Sequence, residues 1–567
     1  MAVIALLSVV AQMTHFSAQK GRTVINGDSA QFVAAAEALV SGDKTPHFEM
    51  RKPAYSLLLA GLLLLGGNLG WPAIAWNHAL LATLPLAAYG LGMHFRSRRL
   101  AWFAAVLTVV RLQYVVYADR LMSEALYTCL LSFGVLTLVV GLSRTRVRWL
   151  CGAGCLLALA WLTRASATAV LPATLAIIVW THRHAWRRAV LCTAAFGAPM
   201  VCAVVLECGL NARYAGRFKT STGTAGTSLL LRMRHDQGAP MPPGAAAATL
   251  LGLLPERSPT NAYIAHPLDV WVARYHALHD RGMDEWSFDR LMGRVALDMA
   301  WRDPVAFARH TAAVFAHHVL RRPGRFPLAP RLEPRRRRGI VHPDAPDRAT
   351  GERYWFAYWG LPHLAEDEAV QLVDRMKAAA DQTAPFAHAR IWSILRYLRA
   401  KPPVAATLDA LHAVSMLWPG FALVACALTG IQRRTCAVLA AVYVLDALMI
   451  GVLIAANERM SFVWIVTDTT LAATFVMLLA AWTMRYARRA LAGLRTCRLA
   501  PSGSGSRPLD PETLHGSLRV RTPATRARRG LFRRAHHDQG LPEGKTNQPL
   551  ERIQERNQVV ERPCGLS

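Results

Sequence analysis

The sequence predicts an all-α integral membrane protein of about ten transmembrane helices, with one large domain inserted on the extracytoplasmic side. Hydrophobic residues make up 53% of the chain and arrive in blocks such as Ile74–Met93 and Glu124–Leu142. Each block is close to the roughly 20 residues that cross a bilayer core. A soluble amphipathic helix keeps a polar stripe, which these blocks lack. Short arginine clusters separate alternate blocks, as cytoplasmic loops do.

The spans follow from the positions of these blocks. We predict them at residues 2–18, 72–94, 101–117, 124–142, 149–163, 166–181, 189–208, 411–430, 436–456 and 461–484. No charged region precedes the first block, which favours a short membrane helix over a cleaved signal. The apolar run 54–67 has about fourteen residues and is too short to span, so we predict a re-entrant or interfacial segment.

The net charge of +29 has a simple explanation in membrane topology. If the spans alternate, every arginine cluster falls on one side, which is therefore predicted to be cytoplasmic together with both termini. These clusters are Arg96, Arg98 and Arg99; Arg144, Arg146 and Arg148; Arg183, Arg187 and Arg188; Arg433 and Arg434; and Arg485, Arg488 and Arg489. No nucleic-acid partner is needed to account for the charge, and none is predicted.

Four regions result from this topology. Residues 1–208 form an N-terminal membrane module whose first external loop covers 19–71. Residues 209–410 form the extracytoplasmic domain, which has no cysteine between Asn211 and Leu411 and must fold by packing. Residues 411–484 hold the last spans. Residues 485–567 carry 17 Lys and Arg against 7 Asp and Glu, which predicts a disordered basic cytoplasmic tail in contact with membrane lipids.

Several ionisable residues fall on the external connections, close to the membrane. They are Asp28, Arg51, Lys52, Asp119, Arg120, Glu124, Arg164, Glu458 and Arg459. Charges at membrane depth are costly and mark substrate paths, although any one of these residues could equally be an ordinary solvated loop residue. Glu124 and Arg164 stand out, because each adjoins apolar helices with almost no loop between them.

Arginine and a carboxylate at one membrane face suit one kind of chemistry. The planar guanidinium holds phosphate oxygens, and a carboxylate takes a proton from a hydroxyl as a general base. A lipid-phosphate donor that carries a sugar would use both. The sequence shows no Walker-type loop, no dinucleotide fingerprint and no metal-spaced Cys/His cluster. Gly223 and Gly226 give a weak loop signal that assigns no ligand.

A series of motifs on the external side resembles a known family. They are Gly27–Phe32 with Ala36–Gly42, Arg51–Ala60, Ser123–Thr128, Leu162–Arg164 with Pro172, and Glu458–Met460. Each motif is unspecific alone, but their order and common side resemble the GT-C glycosyltransferases. More narrowly, they are similar to the bacterial protein mannosyltransferase and aminoarabinose-transferase-like group. The likeness lies mainly in residues 20–210.

The resemblance implies a GT-C-type helical bundle in the plasma (inner) membrane with its active site on the extracytoplasmic side. It implies inverting transfer from a polyprenyl-phosphate-linked sugar to a glycan, lipid or protein acceptor. The catalytic base then falls on Asp28. The implied substrate-binding residues are Arg51, Lys52, Tyr55, Glu124, Arg164, Glu458 and Arg459.

Two departures from the family pattern affect these expectations. Ser29 stands where the family often has a second acid, and Ala54 stands in place of a second proline. We therefore predict no cofactor and no metal ligands, and a role for a divalent metal stays open.

Two other functions fit a multi-span protein. A transporter or lipid flippase predicts charges near the bilayer midplane and broken helices in matched halves. A non-catalytic envelope scaffold predicts that loss of Asp28 has no effect. Charges gathered at one face and about 200 residues outside the membrane favour the transferase.

Overall fold

The structure is a computed structural model of the chain, and every regular element in its described part is helical. It describes residues 1–18, 27–42, 45–67, 69–95, 97–111, 115–222, 224–233, 241–254, 267–320, 366–382, 384, 389–399, 401–415, 439–440, 444 and 465–498. No β-strand occurs in these residues, which confirms the predicted all-α class.

Helices follow one another closely along the described part of the chain. In chain order they are α1 (Ala2–Ala18), α2 (Gly27–Ser41), α3 (Pro53–Gly66), α4 (Trp71–Ala82), α5 (Leu84–His94), α6 (Arg98–Val110), α7 (Val115–Ala118), α8 (Glu124–Arg144), α9 (Val147–Thr163), a 3₁₀ turn (Ala165–Ala169), α10 (Val170–His182), α11 (Trp186–Ala215), α12 (Ala225–Leu231), α13 (Ala245–Leu251), α14 (Pro267–His279), α15 (Glu285–Arg302), α16 (Pro304–Leu320), α17 (Glu366–Asp381), α18 (Arg390–Arg399), α19 (Pro402–Ser415) and α20 (Ile465–Arg498).

Apolar helices long enough to cross a membrane confirm the multi-span class. By length and composition they are Glu124–Arg144, Ala165–His182, Trp186–Ala215 and Val466–Arg488. Shorter apolar helices cover Ala2–Ser17, Pro53–Gly66 and Val147–Thr163. The predicted number of ten spans stays a prediction, because residues 416–438 and 451–464 lie outside the described residues.

The predicted span 72–94 is interrupted at Thr83, between α4 and α5. The Thr83 hydroxyl donates to the carbonyl of Leu80 at 2.6 Å, and Pro85 has no N–H to continue the helical hydrogen bonds. Apolar patterning alone does not reveal this break, because the residues on both sides are equally apolar.

The short apolar run predicted to be re-entrant or interfacial forms α3. Pro53 occupies its first turn, where the missing N–H costs nothing. Gly67 ends the helix in the left-handed conformation, with φ +71°, and its N–H bonds to the Leu63 carbonyl. The far end of α3 is open, since Leu64 and Leu65 are 72% and 88% exposed. The near end, at Pro53, Tyr55 and Ser56, is buried and directly follows Arg51 and Lys52.

The bundle core is formed by α4 to α11, together with α20. Leu131, Leu157 and Phe196 represent it, all at most 1% exposed. The last helix is fixed to this core by polar contacts as well: Arg111 Nη1 lies 3.3 Å from Asp468 Oδ2, and the hydroxyls of Thr108 and Thr469 are 2.7 Å apart. Helix α20 continues to Arg498, past residue 485 where we predict the tail to begin. Residues 499–567 lie outside the described residues.

The predicted extracytoplasmic segment contains a core of its own. Helices α12 to α15 pack around Phe288, Met292 and Val295, which are at most 1% exposed. Arg274 donates through two nitrogens to the Glu285 carboxylate, and both side chains are buried. This part of the segment therefore has a buried ion pair and an apolar core, while the predicted domain 209–410 stays a prediction.

Helix α17 belongs to a further cluster of buried apolar side chains. Its residues Leu372 and Met376 pack with Phe32 and Ala36 of α2. The helix that carries Asp28 therefore rests on a segment more than three hundred residues later in the chain.

Candidate functional site

The first part of the site joins α2 to the loop before α3. Asp28 and Gln31 lie one turn apart on α2, and the Arg51 side chain contacts both. Arg51 Nη2 donates to Asp28 Oδ1 at 2.6 Å, and Arg51 Nε donates to Gln31 Oε1 at 2.7 Å. The Asp28 and Arg51 side chains are each 26% exposed. The structure thus orients the predicted base while leaving it open to solvent. Gln31 was not singled out by the sequence.

Lys52, the next residue, is closed off from solvent. Its ammonium donates to both Glu207 oxygens, at 2.9 and 2.7 Å, and lies 3.5 Å from the centre of the Trp161 ring. Glu207 Oε1 also accepts from the Ser221 N–H and hydroxyl, at 2.8 and 2.7 Å. Burial lowers the pKa of the Lys52 ammonium, while the charge and hydrogen bonds of Glu207 oppose that change. This pair ties the first loop to α11 and to the chain beyond it.

Tyr55 lies in the first turn of α3 and is fully buried. Its ring meets Phe32 of α2 edge-on, with ring centres 5.1 Å apart. Its hydroxyl accepts from Asn77 Nδ2 at 3.5 Å, and the same nitrogen lies 2.9 Å from the Arg120 carbonyl. Tyr55 therefore links the first loop to the connection before α8.

The second ion pair of the site joins α8 to the turn after α9. Arg164 Nη1 lies 2.8 Å from Glu124 Oε1. The Arg164 guanidinium also donates to the Ser123 hydroxyl at 3.4 Å and lies 5.9 Å from the centre of the Tyr127 ring. Glu124 is buried, whereas the Arg164 side chain is 15% exposed. Helix α8 begins at Glu124, so its first turn places the carboxylate at the helix N-terminus, which favours the negative charge.

A third cluster surrounds Asp119, between α7 and α8. His15 Nε2 of α1 donates to Asp119 Oδ2 at 2.8 Å, and His78 Nε2 of α4 donates to Asp119 Oδ1 at 3.0 Å. Burial disfavours the Asp119 charge, but these hydrogen bonds outweigh it and hold the pKa of Asp119 below its ordinary value. The sequence placed Asp119 at this face but missed both histidines. An imidazole inside an apolar block is the signal that could have found them.

Gly226, one of the two glycines that give the weak loop signal, lies in the first turn of α12, and Gly223 lies outside the described residues. Asp289 of α15 accepts from the Gly226 and Thr227 N–H groups, at 3.0 and 2.9 Å, and so caps α12. A side chain at Gly226 would run into the Asp289 backbone. The first turn of α12 is thus occupied by the chain's own carboxylate.

Two predicted site residues are not placed. Glu458 and Arg459 lie outside the described residues, so their role stays a prediction. Within the part of the chain that the structure describes, no group of three or more His, Cys, Asp or Glu could hold a metal ion.

One family of known proteins is similar to part of this chain. Residues 46–206 match the family described as dolichyl-phosphate-mannose-protein mannosyltransferase. The match confirms the predicted resemblance to GT-C glycosyltransferases, and its range includes Arg51, Lys52, Tyr55, Glu124 and Arg164. It begins after Asp28.

One solved structure is similar to the chain over most of its length. It is the crystal structure of ArnT from Cupriavidus metallidurans bound to undecaprenyl phosphate. The identity is 13% and the TM-score 0.31, over 80% of this chain and 77% of that chain. No curated protein matches the chain.

Proposed function

We propose that this protein is a membrane glycosyltransferase that uses a polyprenyl-phosphate-linked sugar as donor. The acceptor is a hydroxyl of an envelope glycan, lipid or protein, at the extracytoplasmic face of the plasma membrane. Asp28 is the general base. The observation that carries the proposal is the family match over residues 46–206, which contains five of the predicted substrate-binding residues.

The ion pairs support roles for two arginines. Arg51 and Arg164 each pair with a carboxylate, and their side chains are 26% and 15% exposed, against 4% for Lys52. A guanidinium offers several donors to phosphate oxygens. Lys52 is buried, and the Glu207 carboxylate already balances its charge. We therefore assign the donor phosphate first to Arg51 and Arg164, with Lys52 fixing the loop that presents Arg51.

The reaction balances without an additional reagent. The acceptor oxygen bonds to the anomeric carbon, while the bond from that carbon to the phosphate oxygen breaks. Polyprenyl phosphate leaves with the electron pair, and the acceptor proton passes to Asp28. An anionic leaving group is stabilised by arginine. Arg51 donates to Asp28, so in this assignment the arginine that binds the phosphate also orients the base.

The test compares the wild type with Asp28→Asn. Purified protein is incubated with a panel of polyprenyl-phosphate sugars and envelope acceptors, and released polyprenyl phosphate is measured. We expect release by the wild type and loss of at least about a hundredfold in Asp28→Asn, since the amide cannot take the proton. Glu37→Gln is the matched control, because Glu37 lies on the same helix and pairs with Arg375 at the surface.

Each outcome decides between the candidate functions. Release by wild type and Glu37→Gln alone supports the transferase and its base. Equal release by all three proteins keeps the transferase and removes Asp28 as base. If no donor in the panel reacts, the transporter and scaffold functions gain weight, and uptake of labelled lipid into vesicles then separates those two.

A further inference from the structure

The connection between α7 and α8 is held by polar groups on its backbone. Asn77 Nδ2, from α4, lies 2.9 Å from the Arg120 carbonyl and 3.3 Å from the Ala118 carbonyl. Asn77 and Ala118 are both almost fully buried, at 1% and 0% exposed. A single amide group thus contacts two carbonyls of one short connection, which fixes its path relative to α4.

The side chain between those two carbonyls is held as well. Asp119 is 3% exposed and accepts one hydrogen bond from His15 of α1 and one from His78 of α4. Its carboxylate therefore joins these two helices. The other nitrogen of His78, Nδ1, lies 2.7 Å from Gln12 Oε1 of α1. Phe16 packs edge-on against the His78 ring, with ring centres 5.3 Å apart. Because buried polar groups are costly to leave unpaired, such a network favours one arrangement.

These contacts also reach the elements that carry the two ion pairs of the site. On one side, Asn77 contacts the Tyr55 hydroxyl, and Tyr55 is on the helix that begins just after Arg51. On the other side, the connection runs directly into Glu124, the first residue of α8. The route from one ion pair to the other therefore passes through Tyr55, Asn77 and the connection 118–123. Asn77 and His78, which both contact that connection, are adjacent residues of α4.

We infer that Asn77 and His78 are positioning residues that set the separation between the Asp28–Arg51 pair and the Glu124–Arg164 pair. Neither residue touches the donor in this assignment; they act through the connection 118–123. The inference rests on the proposed function for its catalytic consequence. It adds residues that the family resemblance does not assign in this sequence. Supporting residues around a site commonly decide whether reacting groups are aligned.

The experiment uses full-length protein in nanodiscs with four variants. His78→Leu removes the donor to Asp119, His78→Gln keeps a donor there, and Asn77→Leu removes the amide contacts. Thr174→Val is the matched control, because Thr174 is buried in the bundle and its hydroxyl donates within its own helix, to the Val170 carbonyl at 2.8 Å. Hydrogen exchange of the amides in 117–124 and steady-state kinetics with the donor are measured for each.

We expect His78→Leu and Asn77→Leu to speed exchange in 117–124 by about tenfold or more. We expect kcat to fall by roughly ten- to a hundredfold, with the donor KM changed by less than about threefold, because misalignment affects the reaction more than binding. His78→Gln should recover most of kcat. Thr174→Val should match the wild type in both measurements.

Failure of the inference and failure of the proposed function are distinguishable. If the wild type transfers no sugar, the function fails, while the exchange data still decide whether Asn77 and His78 hold the connection. Unchanged exchange in both leucine variants would overturn the inference. Faster exchange with wild-type kcat would also overturn it, because the network would then be structural only. If His78→Leu does not fold, Asn77→Leu alone tests the loss of contacts to the connection, and wild-type exchange and kcat in Asn77→Leu would then overturn the inference.

Discussion

The open pair Asp28–Arg51 and the closed pair Lys52–Glu207 start from neighbouring residues of one loop, yet they differ in exposure. Both members of the open pair are 26% exposed, whereas Lys52 and Glu207 are 4% and 0% exposed. A buried pair holds elements together, because removing one partner strands a charge. An open pair can exchange its partner for a ligand. Within a single loop, exposure therefore separates Arg51, which the proposed function assigns to the donor phosphate, from the buried Lys52.

The largest expected effect comes from breaking the closed pair. Lys52→Met leaves Glu207 charged and buried, which should lower the free energy of unfolding by about 3–5 kcal/mol. Lys377→Met is the control, because the Lys377–Asp374 pair lies at the surface. Thermal unfolding in detergent measures both. Equal melting temperatures for the two variants would show that the closed pair does not anchor the loop.

A smaller effect is expected at the partly open pair Glu124–Arg164. Arg164→Lys keeps the positive charge but loses the planar group that contacts Glu124 and Ser123. We expect kcat/KM for the donor to fall by about tenfold, with little change in thermal stability. Arg217→Lys, at the exposed Arg217–Asp284 pair, serves as control. A large loss of thermal stability in Arg164→Lys would show that this pair anchors the fold, as the Lys52–Glu207 pair does.

The smallest effect concerns pH and the Asp284 carboxylate, which caps α15. Burial opposes its charge, but hydrogen bonds from the Ser287 N–H and hydroxyl, with the charges of Arg217 and Lys219, hold the pKa of Asp284 below its ordinary value. An acid with a lowered folded-state pKa stabilises the fold above its unfolded pKa, near 4, and loses that contribution as pH falls through the folded value. The melting temperature should therefore fall less steeply between pH 6 and pH 3 in Asp284→Asn than in the wild type. Identical slopes would contradict the assignment.

Much of the helical layout follows from the sequence, because apolar length is a local property. Helices α1, α8, α9 and α11 lie where apolar blocks predict them. Asp28 with Arg51, and Glu124 with Arg164, were predicted at one face, and the structure shows that each set forms an ion pair. That pairing was not in the prediction, because opposite charges near one membrane face have many ways to combine.

The missed residues share one property: their partners are far away in the chain. Glu207 meets Lys52 across 155 positions, and His15 meets Asp119 across 104. No local spacing encodes such contacts. Each of these residues is nonetheless a polar group at the end of or within an apolar block, and that mismatch is visible in the sequence. The break at Thr83 had no comparable signal except Pro85.

The packing of α17 on α2 has a consequence for the order in which the protein is made. The helix that carries Asp28 is completed early in synthesis, but its neighbour Met376 emerges more than three hundred residues later. At roughly 5–20 residues per second, α2 waits about 20 to 70 s for this support. A chain that stops short of α17 would contain Asp28, Arg51, Glu124 and Arg164 and still lack the surface against which α2 packs. Contacts late in the chain thus delay completion of a site whose residues are nearly all encoded early.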